Sequence, residues 1–89
     1  MGFGNKLRKR MEIDREVMWA VNEENIRNGI WTQRDGTKIN IMDMSRHHIR
    51  NCISMLERGD SPFAAGWISR FKGELKLREY IEKVMRGEL

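Results

Sequence analysis

The residues of this 89-residue chain best suited to chemistry fall between Ile30 and Arg58. His47, His48 and Cys52 are of the types that bind metals, and His48 and Cys52 stand four apart, on one helix face. A tetrahedral site needs more ligands, and the chain holds no other His or Cys, so a carboxylate such as Asp43 would have to complete it. The same thiol with a histidine base could act as a nucleophile. A cysteine on the apolar stripe of a helix, however, lacks the exposed, electropositive setting that lowers a thiol pKa. The sequence contains no glycine-rich phosphate loop, no HExxH and no GxSxG. Its acids stand in helical pairs with bases or at turns. The expectation is a protein that is not an enzyme and uses no cofactor and no metal.

Binding is the chemistry that remains. Arg46, His47, Arg50 and Asn51 gather at the start and on the outer side of one helix. There, free backbone N–H groups and forked guanidinium donors suit phosphate. Trp31 and Lys38 would add a stacking surface nearby in one of two hairpin registers. A separate basic cluster, Lys6, Arg8, Lys9 and Arg10, fills the first ten residues without an acid among them. A solvated tip and a phosphate-contacting arm both account for it. Basic charge at a helix N-terminus opposes the macrodipole, so helix stability is not the reason for it. The net charge of +4 is concentrated in that tip, and it permits contact with nucleic acid without requiring it.

Four elements must position these residues. A helical pattern runs from about Asn5 to Glu24, with Leu7, Met11, Met18 and Val21 as one stripe and Val17 and Ala20 beside it. Asn28-Gly29 should stop that helix, because glycine tolerates the left-handed C′ position. A β-hairpin follows over about 30–41, turning at Asp35-Gly36. A two-residue turn pairs Thr32 with Ile39 and turns Trp31 outward beside Lys38. A three-residue turn with a bulge at Gly36 shifts the register and puts Trp31 with Ile39 on the buried side. Both remain open, burial being the usual fate of a large aromatic. Next comes a helix over about 46–58, capped by Ser45 with a Met44–Ile49 staple, burying Ile49, Cys52, Ile53 and Leu56 and ending at Gly59. The last helix spans about 62–86, with Ser61 as cap, Pro62 in the first turn and a break available near Gly73. Its apolar side reads Phe63, Trp67, Phe71, Leu75, then Ile81, Val84 and Met85. Glu74–Arg78, Glu79–Lys83 and Glu82–Arg86 are spaced to pair along a solvated face.

The fold class is therefore α+β, mainly helical, in a single small domain over 1–89 with residues 1–5 loose. With 39% hydrophobic and 34% charged residues the chain is globular in character and not disordered. No apolar run is long enough to span a membrane, no signal-peptide core is present, and one cysteine cannot make an internal disulfide. A cytoplasmic location is expected. A lone hairpin is marginal in water, and seven Met and three Trp suggest surface that packs on something else, so a homo-oligomer or a stable partner is expected.

The run Trp31-Thr32-x-x-Asp35-Gly36-x-x-Ile39-x-Ile41-x-Asp43-Met44-x-x-x-His48-Ile49-x-Asn51 resembles a motif of small, uncharacterised proteins common in bacteriophage and prophage genomes. The likeness covers about a quarter of the chain and leaves out the N-terminal helix and the FAAGW segment. It implies an accessory protein of phage type in a bacterial cytoplasm, one that binds and inhibits or modulates a host protein, such as a defence protein, or sequesters its ligand. It brings no catalytic residues. The other reading is a nucleic-acid or nucleotide binder using the basic tip and the Arg46/His47/Arg50 face.

Overall fold

The computed structural model describes residues 16–88. Helix α1 covers 16–28, strands β1 and β2 cover Ile30–Thr32 and Lys38–Asn40, and a 3-10 turn covers Ile41–Asp43. Helices α2, Arg46–Arg58, and α3, Ala64–Met85, complete the chain. The architecture is α+β and mainly helical, in the expected helix–hairpin–helix–helix order.

Gly29 stops α1 as its backbone freedom requires. It sits at φ +70°, its N–H donates to Ile26 O at 3.2 Å, and its carbonyl accepts from Ile41 N at 2.8 Å. A side chain there would meet Arg70 Nη2 and Ile41 Cγ1, each at 3.0 Å, so the position needs glycine for space as well as for conformation.

The hairpin takes the three-residue turn. Trp31 pairs with Ile39 and Thr32 with Lys38, and Gln33 N donates to Thr37 O at 2.7 Å around the Arg34-Asp35-Gly36 loop. Gly36, at φ +90°, supplies the left-handed residue of the bulge. Asp35 Oδ1 accepts from both the N–H and the hydroxyl of Thr37. Asn40 Oδ1 then caps the 3-10 turn by accepting from Met42 N, so Ile41 leaves the strand and is fully buried.

α2 matches its sequence pattern residue for residue. Ser45 Oγ accepts from His48 N at 3.1 Å, Met44 and Ile49 are both buried, and the stripe Ile49, Cys52, Ile53 and Leu56 faces the core. The core is completed by Ile41, Trp67 and Phe71. Trp31 stands edge-on to Trp67 and Phe71, with centroids 5.0 and 5.2 Å away, which anchors the small sheet to α3.

Several expectations are corrected. Leu7, Met11 and the Asn5 cap lie outside the described residues, but Val17, Met18 and Val21 are exposed. α1 instead packs through Trp19, whose ring lies 4.8 Å from Phe63, and through Ile26, which packs against the core with its Cδ1 3.1 Å from where a side chain at Gly66 would begin. α3 begins at Ala64, two residues late. Ser61 Oγ accepts from Phe63 N in the preceding turn and leaves the helix without a side-chain cap. There is no break at Gly73. Ile81, Val84 and Met85 are exposed, since α2 reaches the last turns of α3 through the Arg46–Glu82 pair and not through these side chains. Glu74 and Arg78 belong to the interior and not to a solvated face. Glu82 pairs with Arg46 instead of Arg86, and Arg86 pairs with Glu88.

Candidate functional site

α2 presents Arg46, His47, Arg50 and Asn51 on one side, as the one-, four- and five-residue spacings require. Their surroundings differ. Arg46 is half-buried and engaged by Glu82 of α3, so its guanidinium serves first to hold α2 against α3. His47 Nε2 and Asn51 Nδ2 are 3.2 Å apart along the helix, which orients the ring and uses one of the amide's hydrogen-bonding positions. Arg50 is exposed and, among the described residues, has no ion-pair partner.

Lys38 is exposed on the outer face of the hairpin, and no hydrogen bond or ion pair among the described residues ties it to α2. Trp31 is on the opposite face, half-buried in the aromatic cluster. The register that would set it outward beside Lys38 is not adopted. Lys6, Arg8, Lys9 and Arg10 lie outside the described residues. The structure thus brings together the four α2 residues and separates Trp31 from Lys38.

An open cleft of about 530 Å³ lies between the hairpin and α2, lined by Trp31, Thr32, Gln33, Arg34, His48, Cys52 and Met55. Cys52 borders this cleft but is only 6% exposed; burial raises its thiol pKa, which favours the protonated form, and no hydrogen bond joins it to His48 among the described residues. A thiol so placed is a packing group and a poor nucleophile. No cluster of three His, Cys, Asp or Glu side chains is arranged to hold a metal among the described residues. No helix among them is long and apolar enough to cross a membrane.

The surface the sequence reading missed is apolar. Val17, Met18, Trp19 and Val21 are exposed on α1, and Leu77, Tyr80, Ile81, Val84 and Met85 on the end of α3. Trp19, Glu23 and Ile26, spaced by four and three, were the signal for the true packing side of α1. The five α3 residues recur at i, i+3, i+4, i+7 and i+8, the spacing of a helix face.

Comparison with protein-family models, curated proteins and solved structures finds no significant match to this chain.

Proposed function

We propose that this chain is a non-enzymatic accessory protein of phage type that acts by stoichiometric binding, inhibiting or modulating a host protein, with a defence protein as one such target, or sequestering its ligand. The observation that carries the reading is the apolar surface of α1: Val17, Met18 and Val21 all face outward on a helix whose opposite side is already packed on α3. Exposed apolar side chains gathered on one helix face mark a protein-interaction surface more often than a solvent-adapted one. The phage-type part of the proposal rests on the motif from Trp31 to Asn51. In the fold most of that motif is scaffold: Gly36 forms the bulge, Ile41, Met44 and Ile49 are core, and Trp31 joins the aromatic cluster.

The test is a tagged pull-down from bacterial host lysate, with mass spectrometry of co-purified proteins and extracted small molecules. A host protein retained at a fixed ratio by the natural chain and lost with Met18→Glu supports the proposal. Equal recovery with Met18→Glu counts against the α1 face.

A second reading, nucleic-acid or nucleotide binding, rests on Lys38 and Arg50, which are exposed without ion-pair partners among the described residues. Phosphate-driven binding weakens steeply with salt whereas an apolar interface tolerates it. Failure to shift DNA, RNA or nucleotides at low salt eliminates this second reading.

A further inference from the structure

A partly open cavity of about 190 Å³ lies where α1, β1, the end of α2 and the start of α3 meet. Its apolar walls are mainly aromatic: Trp31, Phe63 and Trp67 line it, with Trp31 only half-buried and edge-on to Trp67. Its polar groups are amides and hydroxyls. Asn22 and Asn25, three apart on one face of α1, line it together with Ser61. These polar side chains keep hydrogen-bonding capacity. Asn22 Nδ2 donates to Met18 O at 2.7 Å, which leaves the side-chain oxygen of Asn22 free to accept. Asn25 makes no side-chain hydrogen bond among the described residues. Ser61 Oγ accepts from Phe63 N and keeps its own proton to donate. Among the described residues, none of the nine that line the cavity is charged, in a chain that is 34% charged.

We propose that this cavity binds the uncharged base of a free nucleoside, with the sugar outside its mouth. Size sets the first limit. Roughly 150 Å³ holds a benzene ring, so this volume takes one flat ring system and no more. Aromatic walls favour such a ring by stacking or edge contacts. An uncharged lining does not recognise a phosphate or carboxylate, since an anion taken out of water needs a paired cation. The amides then select among flat rings. An Asn side chain offers an acceptor and a donor side by side, the pattern that pairs through two bonds with a base edge such as that of adenine. The rival occupant is an aromatic side chain of a partner protein. An indole or phenol brings a single polar atom to two amides and a hydroxyl, and so leaves most of them unused. The inference rests on the ligand-sequestering form of the proposed function. Its test uses the purified chain without a host protein, so failure here leaves the host-protein reading of the α1 face standing.

Isothermal titration of the full chain with adenosine, guanosine, cytidine and uridine tests it. At least one of them should bind, one per chain, with a dissociation constant below about 1 mM. Asn25→Ala should weaken that binding about tenfold or more with an unchanged helical circular dichroism spectrum, because alanine favours a helix and Asn25 has no internal side-chain bond to lose. Exchanging the nucleoside for its monophosphate, or raising the salt, should each change the affinity by less than about threefold. Absence of binding by all four nucleosides overturns the proposal, as does binding that Asn25→Ala leaves intact. A monophosphate that binds much more tightly and fades with salt overturns it in favour of a basic surface. Indole binding as tightly as the best nucleoside overturns it in favour of a socket for a partner's aromatic side chain.

Discussion

Arg78 reaches from α3 to the backbone of Ile41, its Nη2 donating to that carbonyl oxygen at 2.9 Å across 37 positions of sequence. The same nitrogen donates to Met42 O at 3.2 Å, and Nε donates to Glu74 Oε2 at 2.8 Å. One guanidinium thereby neutralises the buried carboxylate and satisfies the 3-10 turn that closes the sheet against α3. This is how a charged pair can sit beside Phe71 with both partners hydrogen-bonded.

Removing that guanidinium leaves Glu74 as an unpaired buried charge. Arg78→Met should cost about 3 kcal/mol of unfolding free energy in urea melts, because a broken buried pair loses partner and solvation together. The exposed Glu79–Lys83 pair, with N and O 3.7 Å apart, gives the contrast: Glu79→Gln should change stability by less than about 0.5 kcal/mol. Equal costs for the two changes would refute the interior role of Arg78.

Two glycines should respond with opposite signs to the same substitution. Gly29→Ala forces a side chain into a left-handed backbone and against Ile41 and Arg70, and should destabilise by about 2–3 kcal/mol. Gly73→Ala sits in open space in the interior of a continuous helix and should stabilise by about 0.5–1 kcal/mol. Thermal melts of the two variants against the natural chain decide both.

The Asp35 carboxyl is held below its ordinary value of 3.8 by the Thr37 hydroxyl first and the Thr37 N–H second. A carboxyl whose pKa is depressed in the fold stabilises it above the unfolded value and loses that contribution as pH falls through the folded one. The advantage of the natural chain over Asp35→Ala should therefore be full near neutrality and fade below that ordinary value. Carboxyl NMR titration should place Asp35 under 3.8, and a midpoint above it would sink the argument.

Burial raises the Cys52 thiol above its ordinary 9.0, so the fold favours the protonated form. Stability should fall as pH rises past that ordinary value, where the unfolded thiol ionises and the folded one does not. At lower pH, a thiol reagent should react only through opening of the core, at a rate that rises in destabilised variants such as Gly29→Ala. Rapid labelling that is indifferent to stability would show that Cys52 is accessible in the native state.

The sequence by itself determined the elements whose causes are local. α2 was legible to the residue because its cap at Ser45, its stripe and its stop at Gly59 all lie within fifteen residues of one another. The stop at Gly29 and the existence of the hairpin were legible for the same reason. Tertiary structure alone decided the rest. The Asp35-Gly36 turn accepts either register, and the choice fell to Trp67 and Phe71, which receive Trp31 from far along the chain. The packing side of α1 was decided by Phe63 and Gly66, so Ile26 turned inward, Trp19 came to rest on Phe63 with half its surface still exposed, and the apolar stripe of Val17, Met18 and Val21 turned outward. Periodicity shows that a helix has an apolar face, but whether that face meets the core depends on what lies opposite. On α1 and at the end of α3, nothing among the described residues does, and the apolar side chains stay exposed there.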